Sequence, residues 1–176
     1  MPLPILPPPA LVQADPEAVL ISLFPLVERQ AWRELMERSQ VLLQGESIAE
    51  GTRAKLRWMM LRGLAGMMSQ GAVRQARAEA ILAQVEGRLV AFPARPLDGR
   101  EDGWKLSAEA RTATGLEKAG PLAHAEVHLS LLPGLPQPTG EAVAEGVLEA
   151  YQARTGLFAP HPRLTLRFRE ARFRRP

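Results

Sequence analysis

The chain of 176 residues is 46% apolar and 23% charged, which suits one domain or two small units sharing a core and excludes a disordered chain. It has no cysteine, so disulfides, thiolate zinc sites and cysteine nucleophiles are excluded. The net charge of +3 is uneven: residues 163–176 carry six arginines and one glutamate, which leaves the rest of the chain slightly acidic.

Residues 1–14 form a proline-rich arm. Pro7-Pro8-Pro9 favours an extended polyproline conformation, either as a plain tail, as a strap across the body or as a ligand for a proline-binding module. The segment lacks the basic start of a signal peptide, and no apolar run approaches the roughly 20 residues of a membrane span. The cytoplasm is the expected compartment, with no membrane partner.

A helical region is predicted over 15–87. Asp15-Pro16-Glu17 is a helix start, with a capping aspartate, a proline suited to the first position and an acid at the positive end of the dipole. A second helix runs from Pro25 to Gln44. Ser47-Ile48-Ala49-Glu50 has capping-box spacing and opens a third helix, which stops near Gly71. A fourth spans about 72–86 and ends at Gly87. The third helix carries Trp58, Met59, Met60, Met67 and Met68 on more than one face. It is therefore either central in the bundle, with the methionines filling core, or it offers an adaptable partner-binding face.

The run Gly63-x7-Gly71-x-Val73-x2-Ala76-x3-Ala80-x2-Ala83 resembles the small-residue ladder of a tetratricopeptide repeat, and Gln30-x-Trp32-x2-Leu35-x3-Ser39-x2-Leu42 echoes it. Trp32 and Val73 are 41 residues apart where the repeat has about 34, and Pro25 falls inside what would be a first helix. The resemblance implies a concave groove for a peptide or partner protein.

An α+β region is predicted over 88–176, in the order βββαβ, with a helix covering one face of a small antiparallel sheet. The strands are Leu89-Val90-Ala91-Phe92, then 104–113 and 123–131, the last two alternating apolar and polar residues. Thr114 to Pro121 is read as a turn. Thr139 caps a helix to about Arg154, with Val143, Val147, Leu148 and Tyr151 as its stripe. A last strand runs from Arg163 to about Phe173, and its alternation slips at Glu170-Ala171, which marks a bulge or the end of pairing.

Three readings of function follow. The first is a non-enzymatic binding or adaptor protein that engages a protein partner, or a second copy of itself, through Trp58, Met59, Met60, Met67 and Met68. The second is a DNA- or RNA-binding protein using Arg167, Arg169, Arg172, Arg174 and Arg175 with Arg111, since arginine neutralises phosphates; against it stands a charged edge strand that resists edge-to-edge pairing. The third is a metal-dependent enzyme at His124-x-Glu126-x-His128. Residues two apart on a strand share a face, although the outer pair start about 13 Å apart, and a solvated strand face explains the same pattern. No Walker-type loop, dinucleotide-binding fingerprint or nucleophile elbow is present, so no cofactor is expected.

Overall fold

The computed structural model describes residues 15–176, and the proline-rich arm lies outside the described residues. The helical half comprises α1 (Pro16–Ile21), α2 (Phe24–Glu28), α3 (Trp32–Leu43), α4 (Glu50–Ser69) and α5 (Gln75–Val85). The start of α1 follows its cap chemistry, with Asp15 Oδ1 accepting the Glu17 backbone N–H at 3.1 Å. The helix expected over 25–44 is divided into α2 and α3 at Gln30, whose backbone is left-handed (φ 57°). The expected capping box at Ser47 does not form. Instead Arg53 ties the turn before α4, donating to the carbonyls of Leu43 at 2.7 Å and Ile48 at 3.1 Å.

Thirteen of the 20 residues of α4 are buried, so this helix is central rather than amphipathic. It contacts α3 on one side and the sheet on the other. Close approach to α3 depends on two glycines. A Cβ at Gly63 would lie 2.8 Å from the Met36 backbone nitrogen, and one at Gly66 would lie 2.3 Å from the Trp32 ring. The helical hairpins therefore do not stack as a tetratricopeptide array; α4 packs on strands instead.

The remaining elements are strands: β1 (Leu89–Ala91), β2 (Arg95–Pro96), β3 (Lys105–Leu106), β4 (Thr112–Ala119), β5 (Leu122–Leu131), β6 (Glu141–Ala153) and β7 (Leu164–Arg174). The α+β class stands, and one element within it changes: the helix expected over 139–154 is strand β6. Its inward residues Ala142 and Ala144 are small and fully buried. Irregularities between Glu145 and Val147 and between Leu148 and Ala150 break the period of two, leaving a spacing that mimics a helical stripe.

The sheet order is β1-β6-β7-β5-β4-β3, with β2 also pairing β6. Strand β7 is inserted between β5, to which it is parallel, and β6, to which it is antiparallel. The arginine-rich strand is thus central and not the charged edge that its composition suggested. Its inner residues are Leu164, Leu166 and Phe168; Glu170 bulges at φ 52° where the alternation slips, and Ala171 and Phe173 continue the buried face. Strand 104–113 is also corrected. It is a short hairpin in which Ser107 Oγ accepts the backbone N–H groups of Arg111 and Thr112, at 3.2 and 3.1 Å. β4 begins only at Thr112 and continues through the stretch expected as a turn.

Four aromatics fill the inner face edge to face. Phe92 lies 5.4 Å from Trp104 and 5.2 Å from Phe168, and Trp104 lies 5.9 Å from Phe173, between ring centroids. Trp104 lies over Gly115, where a Cβ would sit 2.6 Å from its ring. Residues of the helical half and of the sheet belong to one continuous hydrophobic core.

Candidate binding groove and its arginine–glutamate cluster

Two arginines from distant parts of the chain converge on one carboxylate beneath α4. Glu117 sits on β4, on the inward face with Ala113 and Gly115, and is 4% exposed. Both oxygens are engaged. Arg62, from α4, and Arg95, from β2, form ion pairs with it, and Trp58 Nε1–H donates to it at 3.2 Å. Each guanidinium is also stacked: Arg62 lies 5.5 Å from the Trp32 ring and 5.6 Å from the Trp58 ring, and Arg95 lies 5.1 Å from the Trp104 ring. Arg95 further donates to the Leu116 carbonyl at 3.2 Å.

The cluster therefore holds one buried anion, one buried cation and one largely withdrawn cation together. Burial, reinforced by the charge of Arg62, lowers the pKa of Arg95 to about 10, and burial lowers that of Arg62. The Arg62 Nε–H is buried and has no hydrogen-bond partner among the described residues. Such a site is electrostatically unsaturated on its positive side.

Arg62, Arg95 and Glu117 line two concavities. One, of about 730 Å³, is polar and is roofed by the loop carrying Arg100, Glu101 and Asp102. The other, of about 630 Å³, is an apolar groove between α1, α2, α4 and the segment 91–95; Leu20, Phe24, Val27, Trp58, Met59 and Phe92 give it its apolar walls. Its rim carries Lys55, Arg174 and Arg175, with Glu17 as the one acid there besides the buried Glu117. Ile21 and Phe24, also at this rim, are 55% and 48% exposed.

The residues singled out from sequence are redistributed. Trp58, Met59, Met60, Met67 and Met68 do not form a partner-binding face of their own, because all are buried. Met60, Met67 and Met68 fill core, whereas Trp58 and Met59 reach the groove. The arginine set is also split. Arg172 and Arg174 both pair with Glu145, at 2.5 and 3.3 Å; Arg169 pairs with Glu170 at 2.7 Å, and Arg111 pairs with Glu109 at 3.3 Å. Arg167 stands on the outer sheet face opposite His128 without an ion pair among the described residues. Arg174 and Arg175 join the groove rim.

The three-residue metal constellation is not assembled. An irregularity in the β4–β5 pairing leaves His124 out of register, between Ala123 and Ala125. The imidazole turns inward, 5.5 Å edge-to-face from Trp32, while Glu126 and His128 pair with each other. No group of three potential metal ligands occurs among the described residues. Burial, with Arg62 and His161 nearby, lowers the pKa of His124 to about 4. His161, which had no assigned place in the sequence reading, makes a 3.2 Å contact from Nδ1 to the Ala123 carbonyl.

Sequence reasoning missed Arg62, Arg95 and Glu117. The available signals were a lone arginine in an otherwise apolar stretch of α4 and an acid in phase with the inward residues of β4. The second becomes visible only when β4 is recognised as a strand. No described helix is long and apolar enough to cross a membrane. Comparison of the chain with protein-family models, with curated proteins and with solved structures finds no match.

Proposed function

We propose that this is a non-enzymatic binding protein whose groove takes an apolar segment of a protein partner flanked by aspartate or glutamate. The observation that carries this reading is the pairing of an apolar groove with an excess of cations. Leu20, Phe24, Trp58 and Met59 offer the apolar surface, and Lys55 and Arg175 add positive charge at its rim beside Arg174, whose charge is shared with Glu145. Ile21 and Phe24 extend the apolar surface onto the rim. A partner's surface would cover them, whereas a small ligand confined to the groove would leave them in water. Rim cations favour acidic partners and speed encounter. The Arg62–Glu117–Arg95 cluster holds one wall of the groove in place and contributes further positive potential.

The nucleic-acid reading is less well supported, since Arg169, Arg172 and Arg174 each have a carboxylate partner.

The test is selection from a displayed library of random short peptides on immobilised full-length protein. Selected sequences should combine adjacent large apolar residues with acids, bind more weakly as salt rises, and lose about tenfold or more in affinity to the Ile21→Glu variant. Ile21 is exposed, so that variant should fold, which circular dichroism checks. If no selected peptide responds to Ile21→Glu, the groove reading is wrong.

A further inference from the structure

The loop between β6 and β7 presents two adjacent large apolar residues almost wholly to water: Leu157 is 86% exposed and Phe158 is 94% exposed. No other large apolar residue described here is as exposed. The loop that carries them is anchored at its flanks. Arg163 Nη1 donates to the Gly156 carbonyl at 2.6 Å, Arg154 N donates to the Arg163 carbonyl at 2.8 Å, and Thr155 Oγ1 donates to Gln75 Oε1 at 2.8 Å. The His161 contact with the Ala123 carbonyl holds the loop beside the β4–β5 turn, where Leu122 is half exposed. Because the flanks of the protrusion are held, less ordering entropy opposes its insertion into another phase than for a free loop.

The loop and the β4–β5 turn beside it carry no acid, although on the adjoining helix Glu79 accepts from Gln75 Nε2 at 2.7 Å. No aspartate or glutamate occurs in 150–169 or in 118–125. Arg154 follows β6 directly. Arg74 precedes Gln75, whose side chain donates to the Ala153 carbonyl at 3.1 Å. Neither Arg74 nor Arg154 has an ion pair among the described residues. The tip is convex and its apolar side chains lead, which fits a fluid apolar phase behind an anionic surface better than a rigid protein pocket.

We propose that the Leu157–Phe158 tip is a membrane-surface contact, inserting its two apolar side chains into the interfacial region of a bilayer rich in anionic lipid while Arg74 and Arg154 meet the headgroups. Binding of this kind is weak and reversible. The groove lies at the opposite end of the β6–β7 pair, beside Val143 and Arg174, which pair in register there; the tip adjoins Ala153 and Leu164. Both surfaces can therefore be occupied at once, and the protein would hold an acidic partner segment at a membrane surface.

Flotation of the full-length protein with vesicles tests this. Vesicles of phosphatidylcholine mixed with phosphatidylglycerol should carry the protein upward at low salt, and pure phosphatidylcholine vesicles should carry far less. The L157S/F158S double variant should bind on the order of a hundredfold more weakly. Arg154→Gln should weaken binding about fivefold and flatten its salt dependence. Failure of the wild type to float with anionic vesicles, or equal flotation of the double variant, overturns the proposal. Peptide binding in the groove should be untouched by either variant, so the two readings fail separately.

Discussion

Two sets of arginines divide this molecule. Arg62 and Arg95 are isolated in the sequence, stacked on indoles and joined to one buried carboxylate; Arg95 is buried and Arg62 is largely withdrawn from solvent. Arg172 and Arg174 belong to the conspicuous C-terminal run, are about half exposed and also share one carboxylate, Glu145. The pairing scheme is the same, two cations to one anion. What differs is the access of the cations to solvent, since Glu145 is nearly as buried as Glu117. An exposed guanidinium that loses its partner is rehydrated, whereas a buried one is left as an uncompensated charge. Clustering in sequence thus draws attention to the set whose ion pairs contribute less.

The largest expected effect is at Glu117. Glu117→Ala should destabilise the fold by about 3–5 kcal/mol in urea denaturation, because two guanidiniums lose their shared anion together. A cost below about 1 kcal/mol would place the cluster in contact with water and erase the contrast. Nearly as large is the effect of disturbing the platform under Arg62. Gly66→Ala drives a Cβ into the Trp32 ring and should cost about 3 kcal/mol, while Gly51→Ala, in the same helix with open space around it, should stabilise by about 0.5 kcal/mol.

A pH series sharpens the comparison from a third direction. The pKa of His124 is depressed to about 4 in the folded chain, so the folded state keeps it neutral while the unfolded chain takes up a proton near its ordinary value. Stability is therefore full above about pH 6.5 and falls as the pH drops towards 4, with up to about 3 kcal/mol lost from this group. His124→Gln should remove that slope from the difference between denaturation at neutral and at acid pH. The smallest effect is expected at Glu145. Glu145→Ala should cost about 1 kcal/mol or less, since Arg172 and Arg174 can turn to solvent.

Legibility in the sequence followed the range of the forces involved. The α1 start at Asp15, the slip at Glu170-Ala171 and the strand ending in Phe173 are set by neighbours within a few residues, and they were readable. Strand β6 was not, because Ala, Glu and Leu favour a helix locally while pairing with β7 on one side and β1 and β2 on the other decides the outcome. His124 was misread for a related reason, as a single irregularity in strand pairing moved its ring from the surface to the helix interface. The candidate site was least legible of all. Arg62, Arg95 and Glu117 are separated by 33 and 22 positions, and nothing local in the sequence records that the fold will bring them together.

The insertion of β7 between β5 and β6 also bears on how this protein is made. While the chain is still emerging from the ribosome, β5 and β6 can each form, but they have no partner along the edges they will later share. Ala125, Val127, Leu129 and Leu148 then lack the Leu166 and Phe168 side chains that complete their surroundings. Until Leu164–Arg174 has been synthesised, the nascent chain exposes two unpaired strand edges and an open apolar face, the combination that recruits chaperones or neighbouring chains.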